Sequence, residues 1–223
     1  MNKIQELAPT LTGNFTENEP SEAIWIEYRK KINKFKKTEN PLLKKYFFYG
    51  LHDSPIISVK KINKKDLEFI VNDGNCLEFA CALINKKKLN IDTDKLQFPI
   101  KLASMGTKHL SLNIVDCESG KITPCRLRKI DEYLYEEVIT FSPGNIEIAF
   151  DLWSKNSNPT NRYLLLLACA HLNLTEGQST AWQKYFGNKY DKYYNHFNQK
   201  RENGEYLADY SICEKLIDEI DNF

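Results

Sequence analysis

The chain has 223 residues, 42% of them hydrophobic and 27% charged, and carries a formal net charge of +1. Such a length suits one hydrophobic core, the composition excludes a disordered chain, and the near-neutral balance disfavours a dedicated nucleic-acid binder. The longest apolar run, Tyr163 to Ala170, is eight residues, far short of the roughly 20 that span a bilayer.

Met1 to Gly13 scatters Asn2, Lys3, Gln5 and Glu6 among its apolar residues, so no export signal is read and a cytoplasmic location is expected. Residues 1–18 form a polar leader, expected to be loosely tied down. A helical region over 19–49 follows. Pro20 suits a first helical turn, and Ile24, Trp25, Tyr28, Ile32 and Phe35 recur at helical spacing. The opposite face carries Arg29, Lys30, Lys31, Lys34, Lys36 and Lys37. Asn40-Pro41 ends this helix, and a short aromatic segment runs from Leu42 to Tyr49.

Over 54–173 the apolar period drops to two, with turn residues every 8–12 positions, as antiparallel strands require. Strands are predicted at Ile56–Ile62, Leu67–Val71, Gln97–Ala103, His109–Val115, Lys121–Leu127, Tyr133–Phe141 and Ile146–Trp153. Asn72-Asp73-Gly74-Asn75 reads as a hairpin turn, with Leu77, Phe79 and Cys81 continuing as a strand. Ser119-Gly120 and Pro143-Gly144-Asn145 read as further turns. Tyr163–Ala170 fits a central strand better than a buried helix.

Over 175–222 the helical period returns. Thr175 with Gln178 makes a capping-box pattern, and Trp182, Tyr185, Phe186, Tyr190, Tyr193, Tyr194 and Phe197 form one aromatic stripe on a helix over 175–202. Its favoured role is core packing, with Trp182 and Phe186 buried, while Tyr193 and its tyrosine neighbours are the section best suited to a partner surface. A last helix is expected over Tyr206–Ile220, within an acidic stretch that includes Glu214, Asp218 and Glu219. Helices at both ends of a strand series predict one α+β domain, an antiparallel sheet of six to nine strands flanked by terminal helices.

Chemistry is sparse along this frame. None of His52, His109, His171 and His196 has a second ligand at classical spacing, so no metal is expected. The nine glycines make no phosphate-cradling loop, so no nucleotide cofactor is expected either. The six cysteines are scattered and predicted to be reduced, with Cys117 and Cys125 the pair able to face each other across a hairpin. An enzyme reading, a hydrolase or transferase, would need a dispersed site drawn from His52, Asp53, His109 and Glu137. Adjacent residues of an extended chain point opposite ways, which counts against His52 and Asp53 acting together. Two charged groups suit a binding surface instead: a cationic one at Arg29, Lys30 and Lys34, and an acidic one at Asp131, Glu132 and Glu136.

Leu51-His52-Asp53-Ser54-Pro55-Ile56-Ile57-Ser58-Val59, followed by Leu67-Glu68-Phe69, resembles the entry into the first hairpin of certain β-rich bacterial domains of unknown function. Some of those look like immunity proteins encoded beside polymorphic toxins. Tyr133-Leu134-Tyr135-Glu136-Glu137 is similar to their later part, so the resemblance covers about 51–71 and 133–154. It implies a β-rich fold without catalytic residues and a partner that is a cognate, toxin-like protein. The basic first helix and the aromatic later helices are not part of that pattern.

Overall fold

The computed structural model describes residues 9–11, 20–38, 41–46, 51, 53–63, 65–126, 131–155, 158, 160–203, 205, 207 and 209–222. The fold is α+β. Among the described residues nine strands are all antiparallel: β1 (Ser54–Ile62), β2 (Asp66–Asn72), β3 (Pro99–Met105), β4 (His109–Asp116), β5 (Lys121–Cys125), β6 (Glu132–Ser142), β7 (Asn145–Trp153), β8 (Asn161–Cys169) and β9 (His171–Glu176). Their order is β5-β4-β8-β7-β6-β1-β2-β3-β9. The first five make one sheet and the last four another, joined where Ser54 and Pro55 pair with Tyr133 and Glu132.

The two sheets are joined a second time by bent strands. β3 leads through Gly106 into β4, and β8 leads through Ala170 into β9, so the β3/β9 ribbon of one sheet continues as the β4/β8 ribbon of the other. Gly106 sits at this corner with φ +65, and a Cβ there would lie 3.1 Å from that of Ala170. Glycine meets both demands, the left-handed backbone and the close approach.

Between the sheets lies the first core. Leu67, Phe69 and Val71 of β2 and Ile100 and Leu102 of β3 face Ile146, Ile148, Phe150 and Leu152 of β7 and Leu165 and Leu167 of β8. Phe69 and Phe150 meet across it with ring centres 5.6 Å apart. Helix α1 (Glu22–Thr38) adds Tyr28, Ile32 and Phe35 to this core, so its apolar stripe is buried as its spacing predicts. Phe35 packs edge-on against Phe141 of β6 at 5.1 Å, and Lys31 Nζ donates to the Ile139 carbonyl at 2.8 Å. Helix α2 (Pro41–Tyr46) follows and buries Tyr46.

A second core is built from helices α3 (Gly74–Lys87), α4 (Gln178–Tyr185), α5 (Asp191–Glu202) and α6 (Tyr210–Asp221). Trp182 is its centre, fully buried, stacked on Phe186 at 4.2 Å and Tyr194 at 4.9 Å. Trp182 and Phe186 are thus buried as the stripe predicts. Lys86 and Lys87 of α3 reach Asp218 and Asp221 of α6, both at 2.5 Å.

Four expectations need correction. The segment after Asn72 is not a hairpin: Asp73 caps α3, its side chain accepting from Cys76 N at 3.2 Å. Cys76, Phe79, Ala80, Leu83 and Ile84, all buried, recur at helical spacing, so burial on one face of a helix outweighs the turn signal of Asp-Gly. The stripe over 175–202 is not one helix, because Gly187 turns at φ 64 between α4 and α5. Thr175 lies in β9 and Gln178 opens α4, so they form no capping box; Gln178 is turned into the interior instead. The leader is anchored where it is described, since Thr10 and Leu11 are buried, Leu11 against Val115, Ala149 and Leu164 on the outer face of the five-stranded sheet.

Among the described residues no helix is long and apolar enough to cross a membrane.

Candidate protein-binding surface

The cationic side of α1 faces outward. Arg29, Lys30 and Lys34 are all exposed, and Lys30 pairs along the helix with Glu27 at 3.3 Å. Helical spacing alone puts them there, because Tyr28, Ile32 and Phe35 turn the other side to the core. An exposed pair such as Lys30–Glu27 contributes little to stability, so the Lys30 charge can be committed to a partner at small cost to the fold.

The acidic group is different. Asp131 precedes β6 and accepts from Ser154 Oγ and from the Lys155 backbone N–H, each at 3.0 Å, which ties the two strand ends together. Glu132 and Glu136 lie on β6 with their side chains outside the described ones. Tyr193 is not a surface residue: it is buried at 4% exposure, its hydroxyl donates to Asp221 Oδ1 at 2.5 Å, and Lys87 and Lys192 lie over its ring. The amphipathic stripe turned it inward.

The residues of the enzyme reading fall into separate surroundings. His52 lies outside the described residues. Asp53 is exposed at φ 52, just before β1. His109 is exposed at the start of β4, its Nε2 3.2 Å from Ser111 Oγ. Glu137 is buried at 1% exposure and accepts from the backbone N–H groups of Thr10 and Leu11 at 2.8 and 3.2 Å. Burial pushes its carboxyl above the usual range, against the pull of those donors and of Lys31. It holds the leader in place. Cys125 stands across from Leu112 in the β4/β5 register, so it does not face Cys117, which lies in the turn. Among the described residues no group of three or more His, Cys, Asp or Glu could hold a metal ion.

Two clusters escaped sequence reasoning. At the junction of the cores, Asp73 is fully buried, its Oδ2 2.6 Å from Arg201 Nη1 and accepting also from Gln178 Nε2. Tyr46 donates to Glu176, lies 2.9 Å from Gln178 Oε1 and stacks under the Arg201 guanidinium at 5.0 Å. Nothing local marks this network, since its members come from five separate elements. The second cluster lies on the outer face of the four-stranded sheet. One row crosses it in register, Lys60–Glu68–Ala103–Asn173. The Glu68 side chain is only 3% exposed there, held by Lys60 at 2.8 Å and by Lys101. The signal existed: alternation puts Glu68, between inward Leu67 and Phe69, on the outward face.

Compared with protein-family models, curated proteins and solved structures, the chain matches none.

Proposed function

We propose that this chain is a protein-binding module of the immunity type, which inactivates a cognate bacterial toxin by contact rather than by chemistry. The observation that carries the reading is how its carboxylates are used. The four buried ones among the described residues each face groups of the fold itself: Glu68 faces Lys60 and Lys101, Asp73 faces Arg201 and Gln178, Glu137 faces Thr10 and Leu11, and Asp151 faces Arg162 at 3.6 Å. A carboxylate working as acid, base or nucleophile needs to address a substrate instead. The exposed Arg29, Lys30 and Lys34, by contrast, concentrate charge where a partner can meet it.

Cations of this kind act first on association, steering an acidic partner toward the surface in a way that fades with salt. The test is co-purification with the product of the adjacent reading frame, followed by charge reversal at Arg29→Glu, Lys30→Glu and Lys34→Glu. A complex should form, and the triple variant should associate about tenfold more slowly at low salt, with the difference shrinking as salt rises. Turnover of a screened substrate that is lost in His109→Ala, with the fold intact, would replace this reading with an enzymatic one.

A further inference from the structure

The outer face of the four-stranded sheet holds a shallow depression that the α1 surface does not share. Ala103 forms its floor, because the smallest side chain of the row lies between Glu68 on one strand and Asn173 on the other. Its walls are Lys101, Thr175, Ile62 and Met105, and its volume is about 380 Å³. Met105 is 49% exposed, a large apolar side chain left in solvent at the rim.

The charge around it is net positive, three lysines against two carboxylates. Lys60 and Lys101 are exposed on β1 and β3, and Lys65 in the turn between β1 and β2; Lys61, paired with the inward Leu67, turns the other way. The two carboxylates nearby are already engaged: Glu68 by two of these lysines, and Asp66 by the Thr107 backbone N–H at 3.0 Å. Both lysines that hold Glu68 keep outward faces, their side chains 61% and 49% exposed. An ammonium carries three donors, so each can take a second carboxylate while keeping the first.

We infer that this face receives an acidic, extended segment of the partner protein, with one apolar side chain seated over Ala103 against Met105 and its carboxylates on Lys60 and Lys101. The inference rests on the binding role proposed above and adds to it the place and chemistry of capture. The cations of α1 speed encounter, whereas the depression holds the segment and governs its release. Asn173 and Thr175, both exposed beside the floor, supply the polar contacts that a segment lying across β9 would need.

The probe is a fluorescein-labelled octapeptide of alternating glutamate and leucine, titrated with the full chain and read by anisotropy. Two variants attack the site by different routes. Ala103→Phe fills the depression on an outward-facing position and leaves every charge in place. Lys60→Gln with Glu68→Gln and Lys101→Gln removes the three charges together, so that no buried carboxylate is stranded. Both should weaken binding by about tenfold, while Lys121→Gln with Lys184→Gln and Lys189→Gln, three exposed lysines outside both surfaces, should change it less than about twofold. Binding by Ala103→Phe equal to that of the unmodified chain overturns the inference, as does an equal loss in the variant of the three distant lysines. Failure of the binding role is read separately, from the adjacent-frame product: if it co-purifies equally with the unmodified chain and with Ala103→Phe, the role stands and this surface does not.

Discussion

Trp182 is the residue on which the helical core turns. It is fully buried between Phe79, Phe98, Phe186 and Tyr194, each within 6.3 Å ring to ring. Trp182→Ala is expected to cost about 3–5 kcal/mol in chemical denaturation, the range for large core aromatics; a cost under about 1 kcal/mol would place the ring outside the core. Two glutamates should give stability opposite slopes with pH. Hydrogen bonds from Lys101 and then Lys60 hold Glu68 below the usual carboxylate range. Its contribution is therefore complete above that range and is lost as pH falls through the lowered value. Burial holds Glu137 above the range, so its contribution is complete below the ordinary value and is lost as pH rises through the raised one. Urea midpoints measured across pH check both signs: Glu68→Gln should flatten the loss on the acid side, and Glu137→Gln the decline that begins above the ordinary glutamate range.

At the scale of elements, α3 carries its own test. It ends at Lys88, whose backbone is left-handed at φ 52 and ψ 47, with its N–H returned to Asn85 and Ile84 carbonyls. A side chain there costs about 1–2 kcal/mol, and glycine gives back some of that through its greater freedom when unfolded. Lys88→Gly should therefore raise stability by up to about 1 kcal/mol, seen as a higher denaturation midpoint with unchanged slope. The same helix shows where sequence reading reaches its limit. The strands from β1 to β7 were legible because apolar and polar residues alternate along them between turns, β8 because its apolar run has the length of a strand and follows a strand series, and α1 because its stripe repeats at helical spacing. Asp73-Gly74 was not, since one pair of residues suits a tight turn and a helix start equally well. Only the burial of Cys76, Phe79, Ala80, Leu83 and Ile84 on one side decides between them. β9 was missed because it prolongs β8 through the corner at Ala170, with no turn residue of its own to mark the break. Of the candidate surfaces, α1 was legible from local periodicity. The row of Lys60, Glu68 and Ala103 was not, because it exists only once β1, β2 and β3 are in register.

Seen whole, the two larger cores among the described residues meet at a polar seam. Asp73, at the end of β2, and Gln178, at the start of α4, meet Arg201 from α5 there, all nearly or fully buried. Replacing Arg201 by Met leaves the Asp73 charge stranded and should cost about 3–5 kcal/mol. It should also loosen the coupling of the two cores. In a background of Trp25→Phe and Trp153→Phe, Trp182 fluorescence and far-UV circular dichroism are expected to report one common transition in the parent chain. With Arg201→Met the Trp182 signal should move first; coincident curves would show that the seam is not what joins the cores. The packing of α1 has a further consequence, one of timing. Its stripe finds its place against β6, and the ring that Phe35 meets is that of Phe141, more than a hundred residues further along the chain. At about 5–20 residues per second of synthesis, the helix leaves the ribosome many seconds before its partners exist. During that interval its apolar stripe lacks the surface that later covers it, and the growing chain carries an exposed cationic, amphipathic segment until β6 has been made.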